Sequence, residues 1–163
     1  MKYHNILQED MCNGPGLRTV LFVSGCDRHC PGCQNPQTWD KNSGITFGGE
    51  EAAEIFQCLE EDYIAGLTLV GGEPLMPYNV PLLTELCKEC KSMFPNKTIW
   101  CYTGFLYDEV KDLEIMKYID VLLDGPFVQD LADEKLEWVG SSNQRIIDVQ
   151  ATRANNHEII LYK

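Results

Sequence analysis

Short apolar runs alternate along the chain with longer segments whose apolar residues return every three or four positions. Arg18-Thr19-Val20-Leu21-Phe22-Val23-Ser24 is apolar and β-branched and stops at Gly25, which predicts a buried strand. Gly66-Leu67-Thr68-Leu69-Val70 predicts a second, stopped by Gly71-Gly72-Glu73-Pro74. Thr98-Ile99-Trp100-Cys101-Tyr102 predicts a third, and Asp120-Val121-Leu122-Leu123 a fourth that runs into Asp124-Gly125-Pro126. Residues 145–149 predict a fifth strand, and 158–162 a sixth at an edge. Between them, 50–63 puts Ala52, Ile55, Phe56 and Leu59 at helical spacing, with acids at the start where the helix dipole favours them. Asn79 is a candidate cap for the next helix, and Pro81 suits its first turn. Leu83, Leu86, Cys87, Cys90 and Phe94 form that helix's apolar stripe. Residues 108–118 predict one or two short helices, and 39–49 a polar loop.

Strands alternating with helices predict an α/β fold with a largely parallel sheet. The residues with chemical character cluster just past the C-terminal ends of successive strands, where α/β sheets and barrels place their sites. The units are too few for a closed eight-fold barrel, so an incomplete, laterally open parallel β/α barrel is expected. The chain has 163 residues and 44% hydrophobic content, which fits a single domain over 1–163.

Charge and cysteine usage narrow the function. A formal net charge of −12 argues against nucleic acid bound through a basic face. No stretch approaches 18 unbroken apolar residues, so no membrane span is expected. Met1-Lys2-Tyr3-His4-Asn5 carries no apolar signal core. Eight cysteines without a secretory signal predict a reducing cytoplasm, where clustered thiols bind metal or do redox chemistry.

Three of those thiols stand within eight residues, in Gly25-Cys26-Asp27-Arg28-His29-Cys30-Pro31-Gly32-Cys33-Gln34-Asn35-Pro36. Such loops ligate zinc or iron–sulfur clusters. A zinc knuckle needs a fourth ligand, His29 or another cysteine. A [4Fe–4S] cluster held by three thiolates leaves one iron open to a second molecule. Cys87 and Cys90 also have a two-residue gap, but they lie on a helical apolar stripe and read as small buried hydrophobes. Cys58 and Cys101 sit in apolar patterns too, and Cys12 lies near a turn.

The spacing Cys26-x3-Cys30-x2-Cys33 resembles that of the radical S-adenosylmethionine (SAM) superfamily. More of the chain resembles one branch of it, the glycyl-radical activases of anaerobic (class III) ribonucleotide reductase. The likeness is carried by Asn13-Gly14-Pro15-Gly16-Leu17-Arg18, Cys30-Pro31-Gly32-Cys33-Gln34-Asn35-Pro36, Trp39-Asp40, Gly71-Gly72-Glu73-Pro74-Leu75, Tyr102-Thr103-Gly104-Phe105, Leu123-Asp124-Gly125-Pro126-Phe127 and Gly140-Ser141-Ser142-Asn143-Gln144-Arg145. It runs from about Asn13 to Val149.

This resemblance implies a set of site residues. Cys26, Cys30 and Cys33 would ligate a [4Fe–4S] cluster, with SAM chelating its open iron. Gly32 stands where the superfamily usually has an aromatic residue, so backbone groups of Gly32 and Gln34, beside Cys33, are the expected adenine contacts. Gly71, Gly72, Glu73 and Pro74 would meet the SAM amino group; standing alone, such a segment is an ordinary turn. Thr103 and Asp124 match positions that hold a monovalent cation in the related pyruvate formate-lyase activases, although Tyr102 replaces the Asp those enzymes carry before the Thr. The plain alternative for Asp124 is a turn cap. Arg145 suits bidentate capture of a carboxylate, or else is a solvated loop residue.

The implied activity is that of an oxidoreductase that reductively cleaves SAM and generates a glycyl radical on anaerobic ribonucleoside-triphosphate reductase. A reducing partner such as flavodoxin would supply the electron. The rival readings are an activase of another glycyl-radical enzyme, of pyruvate formate-lyase type, an electron-transfer iron–sulfur protein, and a zinc-binding adaptor.

Overall fold

The computed structural model describes residues 1–163, and it begins with a strand that the apolar pattern does not announce. β1 (Lys2–Asp10) is polar and nowhere fully buried. Main-chain pairing holds it antiparallel to β2 (Leu17–Val23), across two register irregularities. Its free edge takes the two-residue β3 (Ile45–Thr46), the one regular element in the expected 39–49 loop. The centre of the sheet follows the apolar runs. β2, β4 (Ile64–Gly71), β5 (Thr98–Tyr102) and β6 (Val121–Asp124) pair in parallel. β7 (Arg145–Asp148) then closes antiparallel on β6. The order is β3-β1-β2-β4-β5-β6-β7, an α/β sheet with a parallel centre and antiparallel flanks. The flanks turn antiparallel because no α-helix crosses over between β1 and β2 or between β6 and β7, where only a 3-10 turn at Gln129–Leu131 intervenes.

The crossovers are α1 (Gly49–Leu59), α2 (Val80–Met93) and a short pair, α3 (Tyr107–Val110) with a 3-10 turn at Glu114–Lys117. α1 stops four residues before the expected end at 63, since Glu60, Glu61 and Asp62 oppose the negative C-terminal end of the helix dipole. Asn79 takes the N-cap position of α2, but its side chain makes no cap bond; the amide donates to the carbonyls of Ser24 and Glu73. The predicted sixth strand is a single bridge, Ile147 to Leu161, beside β7. α4 (Val149–Ala154) was not expected, although Asp148 caps it by accepting from the Ala151 N–H at 3.0 Å.

Strand alternation divides the core in two. On one face, Leu21, Leu69, Ile99 and Cys101 pack with Ile55 and Leu59 of α1 and with Leu83, Leu86, Cys87 and Cys90 of α2. Cys87 and Cys90 are therefore core residues, and burial pushes their thiols far up, Cys90 to about 12. On the other face Trp100, Val121 and Leu123 pack with Tyr102, Trp138 and Tyr162.

That second face also holds a fully buried arginine. Arg18 is 0% exposed and pairs with no carboxylate. Its Nε donates to Thr68 Oγ1 at 2.8 Å and its Nη1 to Thr98 Oγ1 at 3.0 Å. Nη2 donates to the Leu67 and Thr98 carbonyls at 3.0 and 2.8 Å. Burial lowers the guanidinium to about 10, so it stays charged at neutral pH. Gly14 must be glycine partly because a Cβ there would stand 2.8 Å from Arg18 Cδ. The Asn13–Arg18 segment thus bolts β2 to β4 and β5, at the end of the sheet opposite the cysteines.

Candidate iron–sulfur site

The cysteine loop leaves the C-terminal end of β2 through Ser24 and Gly25. Its base is fastened by the main chain. Gly25 N–H donates to Thr38 O at 2.6 Å, Cys26 N–H to Trp39 O at 3.0 Å, and Glu73 N–H to Gly25 O at 2.7 Å. The glycines of the next strand end serve this contact. A Cβ on Gly72 would stand 2.5 Å from Gly25 O, and one on Gly71 would stand 2.6 Å from the Val23 backbone, at a φ of 117°. Gly71-Gly72 was expected to bring backbone close to a ligand; here it also brings backbone against the root of the cysteine loop.

Cys26, Cys30 and Cys33 line one open cavity at the C-terminal ends of the parallel strands, together with Gln34, Gly71, Gly72, Glu73 and Thr103. Of the other expected residues, Pro74 is buried beneath it, and Gly32, Asp124 and Arg145 are outside its wall. Arg28, Tyr102, Phe127 and Gln144 line it and were not singled out as contacts. Phe127 and Gln144 lie within the motifs that carry the resemblance, and Arg28 lies inside the cysteine loop itself.

The donor set fits an iron–sulfur cluster. Asn35 N–H donates to Cys33 Sγ at 3.3 Å, and main-chain N–H groups of Arg28 and His29 favour the charged form of Cys26; such polar groups beside sulfur tune iron–sulfur clusters. Burial still raises the Cys26 thiol above its ordinary value, the two N–H groups opposing it and the Glu73 charge adding to it. His29, one candidate for the fourth ligand of a zinc knuckle, stacks on Trp39 with ring centres 4.3 Å apart. The thiols share the cavity wall without standing together as a closed ligand set. The three buried side-chain polar atoms that lack a partner, Trp39 Nε1, Tyr78 OH and Asn79 Oδ1, belong to residues around the loop's base. Tyr78 closes over Gly25, and Asn79 bonds Ser24.

Glu73 is the hub of the strand ends. Its carboxylate is 2% exposed. Oε1 accepts from Leu75 N–H at 2.9 Å and Thr103 Oγ1 at 2.8 Å, and Oε2 accepts from Gly104 N–H at 2.6 Å. Burial raises its pKa, against these hydrogen bonds and the Arg28 charge, which lower it. Both oxygens are engaged within the chain, so Glu73 acts on the cavity by holding Thr103 and Gly104 in place.

Asp124 and Arg145 meet each other. Asp124 is 1% exposed and accepts from Arg145 Nε at 3.0 Å, from Arg145 Nη2 at 2.5 Å and from Tyr107 N–H at 2.8 Å. The carboxylate that Arg145 grips in bidentate fashion is therefore the chain's own Asp124, and Arg145 is the positive charge beside that carboxylate. Thr103 is likewise engaged, with Glu73 and with Phe105 N–H at 3.1 Å. Replacing Arg145 by Met leaves a buried carboxylate with one main-chain donor. The loss should be about 3 kcal/mol, read as a lowered denaturant midpoint with an unchanged slope.

A parallel-centred sheet that presents three cysteines at its strand ends is the scaffold of a single-cluster iron–sulfur protein, and the family model described as "4Fe-4S single cluster domain" matches residues 12–147. The relatives are more specific. The chain is 44% identical over 146 residues to a protein of Enterobacteria phage T4, covering 90% of this chain and 93% of that one. It is 45% identical over 148 residues to one of Escherichia coli (strain K12), covering 88% and 96%. It is 43% identical over 150 residues to one of Vibrio cholerae, covering 90% and 97%. Each is named anaerobic ribonucleoside-triphosphate reductase-activating protein. The chain belongs to that family. No helix in it is long and apolar enough to cross a membrane.

Proposed function

We propose that this chain is a radical SAM activating enzyme. It holds a [4Fe–4S] cluster on Cys26, Cys30 and Cys33, binds SAM beside it, and generates a glycyl radical on anaerobic ribonucleoside-triphosphate reductase. The observation that carries this reading is the convergence of three thiols and the Gly71–Glu73 turn on one cavity. An electron-transfer protein has no need of a backbone-walled hollow beside its cluster. The corresponding fold reading is a single radical SAM domain over 1–163, an incomplete barrel whose sheet stays open at β3 and β7.

Held by Cys26, Cys30 and Cys33, the cluster would supply the one-electron reduction that cleaves SAM and so makes hydrogen-atom abstraction from a glycine of the partner available. The chain's own residues bind and aim. Gly71 and Gly72 offer backbone to the SAM amino group, and Gln34 offers it to the adenine. Glu73, itself saturated, keeps Thr103 and Gly104 at the cavity wall. Asp124 and Arg145 fix the start of the covering loop. No side chain here has to move a proton, which suits hydrogen-atom transfer. The electron would come from a cytoplasmic reducing partner such as flavodoxin.

Anaerobically reconstituted protein, reduced with dithionite in the presence of SAM, should form 5′-deoxyadenosine and methionine. Its reduced-cluster electron paramagnetic resonance (EPR) signal should shift on adding SAM. A zinc protein, or a cluster indifferent to SAM, would overturn the proposal.

A further inference from the structure

The cysteine loop is held in an unusual way. Between Asp27 and Gln34 its hydrogen bonds stay within the loop, Cys33 N–H to Cys30 O at 3.1 Å among them. What meets it from outside is side-chain packing. From the β5 end, the Arg28 stem lies on Gly104, where a Cβ would stand 2.4 Å from Arg28 Cδ. The Arg28 guanidinium sits 4.6 Å above the centre of the Phe105 ring. From the connection that follows β6, Gln129 rests on Gly32, where a Cβ would stand 2.9 Å from Gln129 Cδ.

Gln129 belongs to the long connection from β6 to β7, and that connection is itself locked. Past the last ladder pair, Asp124 with Arg145, side chains continue the ladder in the same register. Gln144 Nε2 donates to Gly125 O at 3.0 Å, Asn143 Nδ2 to Pro126 O at 2.8 Å, and Ser141 Oγ accepts from Val128 N–H at 3.2 Å. Farther out, Tyr102 OH donates to Trp138 O at 2.6 Å. The connection is a strap pinned at its roots and its middle, and Gln129 is the side chain it sets on the cysteine loop.

We propose that Arg28 and Gln129 are positioning residues that grip the cysteine loop at two separate points and fix where its three thiols stand. This inference rests on the iron–sulfur reading of the loop. It also accounts for the glycine at position 32: Gln129 fills the space a side chain there would use, and φ is 77°.

The test uses the full chain, reconstituted anaerobically, as Arg28→Ala, Gln129→Ala and Gln129→Met. Iron should leave both alanine variants for an added chelator about tenfold faster than it leaves the parent, the low end of what supporting residues contribute at metal sites. Their reduced-cluster EPR lines should broaden. Gln129→Met refills the space and should stay near the parent. The metal-free variants should melt with the metal-free parent, because Arg28 and Gln129 are both exposed and neither belongs to the core. Parent-like release and spectra in both alanine variants would overturn the proposal, as would a lowered melting point of the metal-free forms. A parent that takes up no cluster would instead remove the functional reading.

Discussion

Alanine at Cys26, Cys30 or Cys33 should leave a folded protein that retains no [4Fe–4S] cluster and no activating activity. The three side chains are half-buried in a cavity wall and none belongs to the core, so their removal leaves sheet and helices intact. Nor can another cysteine replace a lost ligand. Cys87, Cys90 and Cys101 are sealed in the core against α1 and α2, and burial holds all three in the thiol form, whereas a ligand must be a thiolate. Cys12 is exposed in the turn after β1, at the far end of the sheet, and Cys58 on α1 lines a different hollow with Gln8, Glu9 and Tyr63. Iron and sulfide analysis after reconstitution, with far-ultraviolet circular dichroism for the fold, checks the expectation. A variant that keeps parental iron and sulfide would show that the loop is not the ligand set.

The parts of this fold that can be read from the chain are those in which a side chain reports its own burial. Val20, Leu69, Ile99 and Leu122 are fully buried, so the four central strands are visible as apolar runs. β1 was invisible for the opposite reason: it is held by main-chain bonds, and its side chains are at best half-buried. The cysteine loop stands out by spacing alone, because three thiols in eight residues have few uses besides holding a metal or cluster. Polar partners were not. Asp124 and Arg145 are 21 positions apart, and nothing local tells an arginine whether its carboxylate will come from a ligand or from its own chain. Glu73 shows the same limit. Its charge is evident in the sequence, yet its saturation by Thr103, Gly104 and Leu75 follows from two strand ends meeting. Gln129 is the extreme case, since its role exists only because the strap returns over Gly32.

Arg18→Met should be the most destabilising single change outside the cysteine loop, although it removes a buried charge that has no counter-ion. Two effects oppose each other. Burying a guanidinium is costly, and replacing a buried ionic group with an apolar one of similar length is often neutral or stabilising. That outcome requires the group's partners to be replaced as well, and here they remain. Thr68 and Thr98 can turn their hydroxyls to other acceptors, but the Leu67 and Thr98 carbonyls cannot move, because they belong to β4 and to the first residue of β5. Each buried group left unpaired costs about 1–3 kcal/mol, and hydrogen bonds from a charged donor are worth about 1.5–3 kcal/mol each. Four such bonds outweigh the relief of desolvation, so a net loss of about 4 kcal/mol is expected, at the upper end for point mutants. The position adds to this. Gly66 brings β4 so close to β5 that a Cβ would stand 1.9 Å from Thr98 O, and the guanidinium is the only group spanning that junction from β2. Chemical denaturation of the metal-free protein gives the value directly. An Arg18→Met protein as stable as its parent would mean that the lone charge costs as much as its four bonds return, and that the Asn13–Arg18 segment owes its form to something other than the fold.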